Sequence, residues 1–248
     1  MTVMEFFGCA LTAFGCPTAM FLLTIAKDPV RIILLIASAF FWLLSLLISS
    51  LLWFVVIPLR QHLVFGLVFS VLFQEMFRIF YYILLRKAEV GLKKVTEAAQ
   101  MSNRHTLSYV SGLGFGLMAG LFSLINVLAD SIGPGTVGIK GGSDLFFITS
   151  AFTTLAFILV HVFWGIISFH ALDCRRYWKN AVIVIIHMTI SLLTLLNSKR
   201  YYAATLIPIY LVVISMGIWA FFTIGGSLKG LKCCLKCKST QLIVEENQ

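Results

Sequence analysis

The sequence predicts an all-α polytopic membrane protein of seven transmembrane helices, with the N-terminus lumenal or extracellular and the C-terminus cytosolic. Three observations carry this. Hydrophobic residues make up 60% of the 248-residue chain and charged residues 12%, with 22 Phe and a mean hydropathy of +0.98, more apolar surface than a soluble fold of this size hides in its own interior. The apolar residues fall into seven runs, each near the roughly 20 residues that a helix needs to cross hydrocarbon at about 1.5 Å per residue. Lys and Arg, finally, concentrate in alternate loops, the signature of a cytosolic side.

The first run, 6–26, ends at Lys27-Asp28-Pro29, where charge and proline stop it. It lacks a basic segment ahead of it and carries Glu5 near its start, so it is expected to be a retained span rather than a cleaved signal. The second, 32–57, closes at Pro58-Leu59-Arg60-Gln61, and the third, 63–85, at Arg86-Lys87. The charged stretch RKAEVGLKKVTEAAQMSNRH leads to the fourth, 107–129, and the turn-rich DSIGPGTVGIKGGSD to the fifth, 145–169. The sixth, 181–196, is short, with Tyr177 and Trp178 placed to anchor it at the interface. The seventh covers 203–224. Residues 1–226 thus form a transmembrane domain and 227–248 a cytosolic tail.

With the N-terminus outside, 14 of the 19 Lys and Arg face the cytosol, among them Lys27, Arg31, Arg86, Lys87, Arg175 and Arg176, while Arg60, Lys140, Lys199 and Arg200 lie opposite and Arg78 lies within a span. The formal charge of +9 is then a matter of topology facing anionic lipid, with no nucleic acid required. Cys9, Cys16, Cys174, Cys233, Cys234 and Cys237 all fall in spans or on the cytosolic side, which excludes a disulfide framework. The CCLKC tail has too few ligands for a zinc site and suits either palmitoylation or a reduced, unmodified state. No Asn-x-Ser/Thr acceptor is present.

Four ionisable side chains lie at membrane depth, where each needs a partner or a purpose. Glu75 and Arg78, three apart, share a helical face and suit an internal ion pair or a proton or substrate path. Counted from the cytosolic ends, Glu75 lies about 16 Å deep, Arg78 and His187 about 12 Å and His161 about 13 Å, one layer contributed by three helices. A His, His, Glu set matches the ligand types of catalytic zinc, but HExxH spacing is absent and Arg78 would repel a cation, so no metal and no cofactor are expected. A proton relay or a small-solute transporter would use the same groups, yet no paired halves are visible among seven spans. A polar pocket that stabilises the bundle or receives a partner segment needs nothing more. An aspartyl dyad is ruled out, because Asp28, Asp130, Asp144 and Asp173 sit at span ends or in loops.

The fourth span holds SGLGFGLMAG. Its glycines follow no strand, so a phosphate loop is not expected. Gly112, Gly116 and Gly120 recur every four residues, drift slowly around one helical face and form a groove for a close-packed helix, internal or foreign. Ser123 and Asn126 extend that face toward the lumen.

Long stretches carry a more specific signal: EFFGCALTAFG at 5–15, DPVRIILLIASAFFWLLSLLISSLLW at 28–53, FQEMFRIFYYILLRKAEVGL at 73–92, YVSGLGFG and LINVLADSIGPGTVGIKG within 109–141, and HVFWG at 161–165. In these the chain resembles the anterior-pharynx-defective family, the seven-span scaffold subunit of gamma-secretase, over essentially its whole length. The short PLRQH loop resembles invertebrate, insect-like members. The resemblance implies a non-catalytic subunit that joins nicastrin, then presenilin, which supplies the catalytic aspartates, and the small presenilin-enhancer subunit, for intramembrane cleavage of single-span proteins such as Notch and the amyloid precursor. It implies residence in endoplasmic reticulum, Golgi, plasma and endosomal membranes. It also implies assembly roles for Gly112, Gly116 and Gly120 and for His161 and His187, with Gly114 standing where vertebrate members have Ser. A cytosol-facing cavity lined by His161, His187 and Glu75 would then admit a presenilin segment. The alternative from another class is an intramembrane hydrolase using Glu75, His161 and His187.

Overall fold

The computed structural model describes residues 3–56, 63–95, 104–132 and 145–227. They form seven helices, each long and apolar enough to cross a membrane, and among the described residues there is no strand. The helices are α1 (Val3–Thr24), α2 (Pro29–Val55), α3 (Leu63–Val95), α4 (Arg104–Ile132), α5 (Leu145–Asp173), α6 (Trp178–Leu193) and α7 (Tyr202–Thr223), with a 3-10 helix (Thr194–Lys199) continuing α6. Successive helices run in alternate directions, so α1, α3, α5 and α7 start at one membrane face, here the near face, and end at the far face. The CCLKC cysteines lie outside the described residues; Cys9, Cys16 and Cys174 are free thiols.

Local sequence sets the ends. At α2, Asp28 caps the helix by accepting from the Val30 amide at 3.0 Å, Pro29 occupies the first turn where a missing N–H is harmless, and Arg31 reaches Asp28 at 3.0 Å and the Thr24 carbonyl at 2.6 Å. The tight α1–α2 connection follows. At the end of α5 the amide of Arg176 donates to Ala171 (2.7 Å) and that of Arg175 to Leu172 (3.2 Å), with Arg175 left-handed at φ 54°. That bonding pattern closes a helix as a Schellman motif, normally with glycine at the left-handed position. The third helix continues well past residue 85, where its apolar run ends; its extension is water-compatible and braced by an Arg86–Glu89 ion pair at 2.8 Å.

Helices α4 and α5 form the centre, and the others surround them: α2 and α1 pack on α4, α7, α1 and α6 on α5, and α3 bridges α2 and α6. Leu11, Leu23, Ile36, Phe54 and Leu211 point outward and are exposed, as hydrocarbon solvent permits. Without a hydrophobic force between helices, contact itself must hold the bundle, and two faces of α4 show how. Residues two apart on a helix point about 200° away from one another, so Gly112, Gly116 and Gly120 face α5 while Gly114 faces α2. There Gly114 meets Ser38, part of the buried stripe Leu34, Ser38, Trp42, Ser45 and Ser49. Gly114 is therefore no interruption of the groove but the contact point for a second helix.

Candidate functional site

The glycine groove is filled from within the chain by α5. A Cβ added to Gly112 would lie 2.8 Å from both the Cα and the carbonyl oxygen of Val162, and one on Gly116 would lie 2.7 Å from the Ile158 carbonyl. At Gly120 the neighbours are side chains, Ile158 Cδ1 at 2.6 Å and Thr154 Cγ2 at 3.2 Å. Gly165 of α5, which no spacing in the sequence marks, is a packing residue as well: its added Cβ would stand 2.7 Å from Gly112 Cα. A single Gly in an apolar span gives little warning that it faces another. Ser123 extends the face as expected, bonding Thr154 at 3.1 Å; the Asn126 side chain lies outside the described residues.

Just beside this crossing the structure brings Glu75, Arg78, His161 and His187 together, all at most 5% exposed. Glu75 uses both oxygens: Oε2 accepts from Arg78 Nη1 at 2.9 Å and Oε1 from His187 Nδ1 at 2.7 Å. Arg78 Nη2 bonds His161 Nδ1 at 2.7 Å. A guanidinium can only donate, so His161 Nδ1 is an acceptor and its N–H sits on Nε2. The four side chains form one chain of bonds, from α6 through α3 to α5. Aromatic rings complete the enclosure: Trp164 lies 4.4 Å from the His187 ring, and Arg78 sits 5.4 Å from Phe115 and 5.6 Å from Trp164, favourable contacts for a desolvated cation. Breaking one member of such a set leaves a buried charge uncompensated, which is why it specifies how three helices are rotated and placed.

A cavity of about 370 Å³ opens from this cluster. Its walls are Ser70 and Gln74 of α3, Ser123 of α4, Ser150, Thr153 and Thr154 of α5, and Ser191 and Thr194 beyond His187. These positions lie in the starting halves of α3 and α5 and the closing turns of α4 and α6, so the cavity extends toward the near face. That corrects the expectation of a cavity facing the side rich in Lys and Arg. Depth counted from the charged ends located the ionisable layer but carried no information about which end the small hydroxyl residues would line. Trp42 Nε1 and Asn197 Oδ1 border the cavity without a partner among the described residues, which makes its interior suited to polar contents. No group of three or more His, Cys, Asp and Glu that could hold a metal occurs among the described residues.

At the far face a second polar junction joins α3 to α5. Asp173 accepts from Arg86 through Nη2 (2.6 Å) and Nε (3.1 Å) and from the Tyr82 hydroxyl (2.6 Å). The partners lie 87 and 91 residues apart in sequence, and only the fold pairs them.

Comparison with known proteins adds a separate line. Residues 4–227 match the family model described as Aph-1 protein. The chain is 53% identical to the gamma-secretase subunit Aph-1 of Drosophila melanogaster over 96% of this chain and 100% of that one. It is 48% identical to the gamma-secretase subunit Aph-1b of Danio rerio over 100% and 99%, and 45% identical to the mouse gamma-secretase subunit APH-1B over 98% of each.

Proposed function

Since the chain belongs to the Aph-1 family, we propose that this multi-pass membrane protein, a gamma-secretase subunit, is the complex's non-catalytic scaffold. In that role it binds nicastrin first, then holds presenilin with the presenilin-enhancer subunit, so that single-span proteins such as Notch and the amyloid precursor are cleaved by presenilin. Its working orientation is N-terminus lumenal, with passage through endoplasmic reticulum and Golgi to plasma and endosomal membranes.

The observation that carries the scaffold reading is the closure of the polar cluster. Both carboxylate oxygens of Glu75 are engaged by Arg78 and His187, so this buried acid is committed to holding helices together. A hydrolase would need that carboxylate, or a metal, free to act on water. In the scaffold, the same cluster fixes α3, α5 and α6 against one another and thereby sets the outer surface that partners meet. Through the near-face cavity, which His161 and His187 line, a polar segment of a partner would reach both side chains.

The test replaces both His161 and His187 with Leu in the full-length chain, expressed in cells lacking their own family member. Membrane insertion is expected to persist while presenilin co-purification falls; undiminished capture of every partner sinks the proposal. Stoichiometric metal with intrinsic proteolysis in the purified chain alone would replace it with the hydrolase reading.

A further inference from the structure

The far face carries another cavity, of about 360 Å³, between the first turns of α4 and the last turns of α5. His170 lies there, roughly 13 Å along α5 from His161, so this site is separate from the polar cluster. Its floor is apolar, Ile166 and Phe169, and its rim is basic: Arg104 and His105 from α4 and His170 from α5. Ser108 and Cys174 complete the lining; the Ser108 hydroxyl donates to the His105 carbonyl at 2.8 Å, and Cys174 Sγ lies 3.6 Å from His170 Nε2.

Among the described residues one carboxylate, Asp173, borders the cavity, and its oxygens are engaged elsewhere. Asp173 holds Arg86 through both oxygens and takes the Tyr82 hydroxyl as well, so its lone pairs are committed outside the rim, and Arg86, which it shares with Glu89, offsets part of its charge. Arg104 forms no ion pair among the described residues, and Arg175 and Arg176 stand exposed on the adjoining turn. The result is a concave, net-basic site at the level where membrane helices end. Its volume is at the lower end of the range of about 300–1,000 Å³ that small-ligand sites occupy. Guanidinium and imidazole groups above an apolar floor match a phosphate ester with a greasy body, and basic hollows between helices at this membrane level suit anionic head groups.

We propose that this cavity binds the phosphate group of an anionic membrane lipid, with Arg104 and His170 as the principal contacts. The lipid ties α4 to α5 at the far face, below the glycine crossing.

The full-length protein, purified and delipidated in detergent, is titrated with a short-chain phosphatidylinositol phosphate, with phosphatidylcholine and with inorganic phosphate, and bound species are counted by native mass spectrometry. The anionic lipid should be retained over phosphatidylcholine. R104Q/H170Q should weaken that retention by about tenfold or more, the equivalent of one lost charge-assisted contact, while R104K keeps most of it and R200Q, at the opposite face, keeps all. Displacement of the lipid by inorganic phosphate at equal concentration would identify soluble phosphate as the ligand of the same site; failure to displace assigns it to the lipid. Unchanged retention in R104Q/H170Q, or an equal loss in R200Q, overturns the proposal. A thermal midpoint for R104Q/H170Q matching wild type separates lost binding from lost fold.

Discussion

Gly112 and Gly165 stand face to face where α4 crosses α5, close enough that a methyl group added to Gly165 would also lie 2.9 Å from the Ser108 carbonyl oxygen. Backbone, not side chain, forms the contact. Gly165→Ala is therefore expected to push the two central helices apart and destabilise the protein by about 1–3 kcal/mol, the usual range for overpacking. Thermal unfolding in detergent would measure it; an unchanged midpoint would mean the helices are free to separate.

Gly116→Leu is the more severe case, because the Ile158 carbonyl lies 2.7 Å from the added Cβ. Membrane insertion should survive, since the hydropathy of α4 rises. The yield of assembled complex should drop several-fold, and co-purification of partners at wild-type levels would remove the groove from the account of assembly.

Gly114 and Ser38 should behave as a coupled pair. An added Cβ at Gly114 collides with the Ser38 hydroxyl and comes 2.5 Å from the Leu35 carbonyl. Gly114→Ser alone is expected to destabilise, and adding Ser38→Gly should restore part of the loss, the remainder being the backbone contact. The coupling energy expected for touching residues is about 0.5–3 kcal/mol; strictly additive effects in a double-mutant cycle would contradict the α2–α4 contact.

In the polar cluster the penalty should depend on what is left behind. Glu75→Leu strands Arg78, 2% exposed, and should reduce stability by about 3–5 kcal/mol. Pairing it with Arg78→Met removes the stranded charge and should be milder than Glu75→Leu alone. Folded yield after detergent challenge reads the difference, and a double variant worse than the single would argue against an ion pair whose value lies in mutual neutralisation.

Arg175 adopts the left-handed conformation that closes α5. Replacing it with Gly should stabilise the chain by up to about 1 kcal/mol by removing the Cβ penalty at that position. A lower melting midpoint for Arg175→Gly would show that its side chain makes a compensating contact.

The sequence was most legible where a residue's meaning depends on its immediate neighbours. Lys27-Asp28-Pro29 marked the end of the first run, although Asp28 also caps α2, which starts at Pro29 ahead of the apolar run at 32, and the spacing of Gly112, Gly116 and Gly120 announced a groove. Glu75 and Arg78, three apart on one helix, were readable as a pair. Their bonds to His161 and His187 depend on rotations of α5 and α6 that periodicity leaves free, and α5 in particular is apolar almost all round. The Arg86–Asp173–Tyr82 junction was illegible for the same reason: charges at span ends read as solvent-facing until two helices bring them into register. The cavity's direction is not legible in the sequence, because Ser and Thr in an apolar span look the same whether they line a void or bond back to their own helix.

Composition and run length by themselves determined a seven-span helical membrane protein, because the free energy of placing residues in hydrocarbon sums along the chain and each residue contributes with little regard to distant ones. Tertiary structure alone decided that α5 fills the glycine groove, that the four ionisable groups form one bonded chain, and that the hydroxyl-lined cavity extends toward the near face. Those outcomes depend on shape and hydrogen-bond complementarity between segments far apart in sequence. In lipid, where apolar burial does not discriminate one helix face from another, that complementarity is what selects the arrangement.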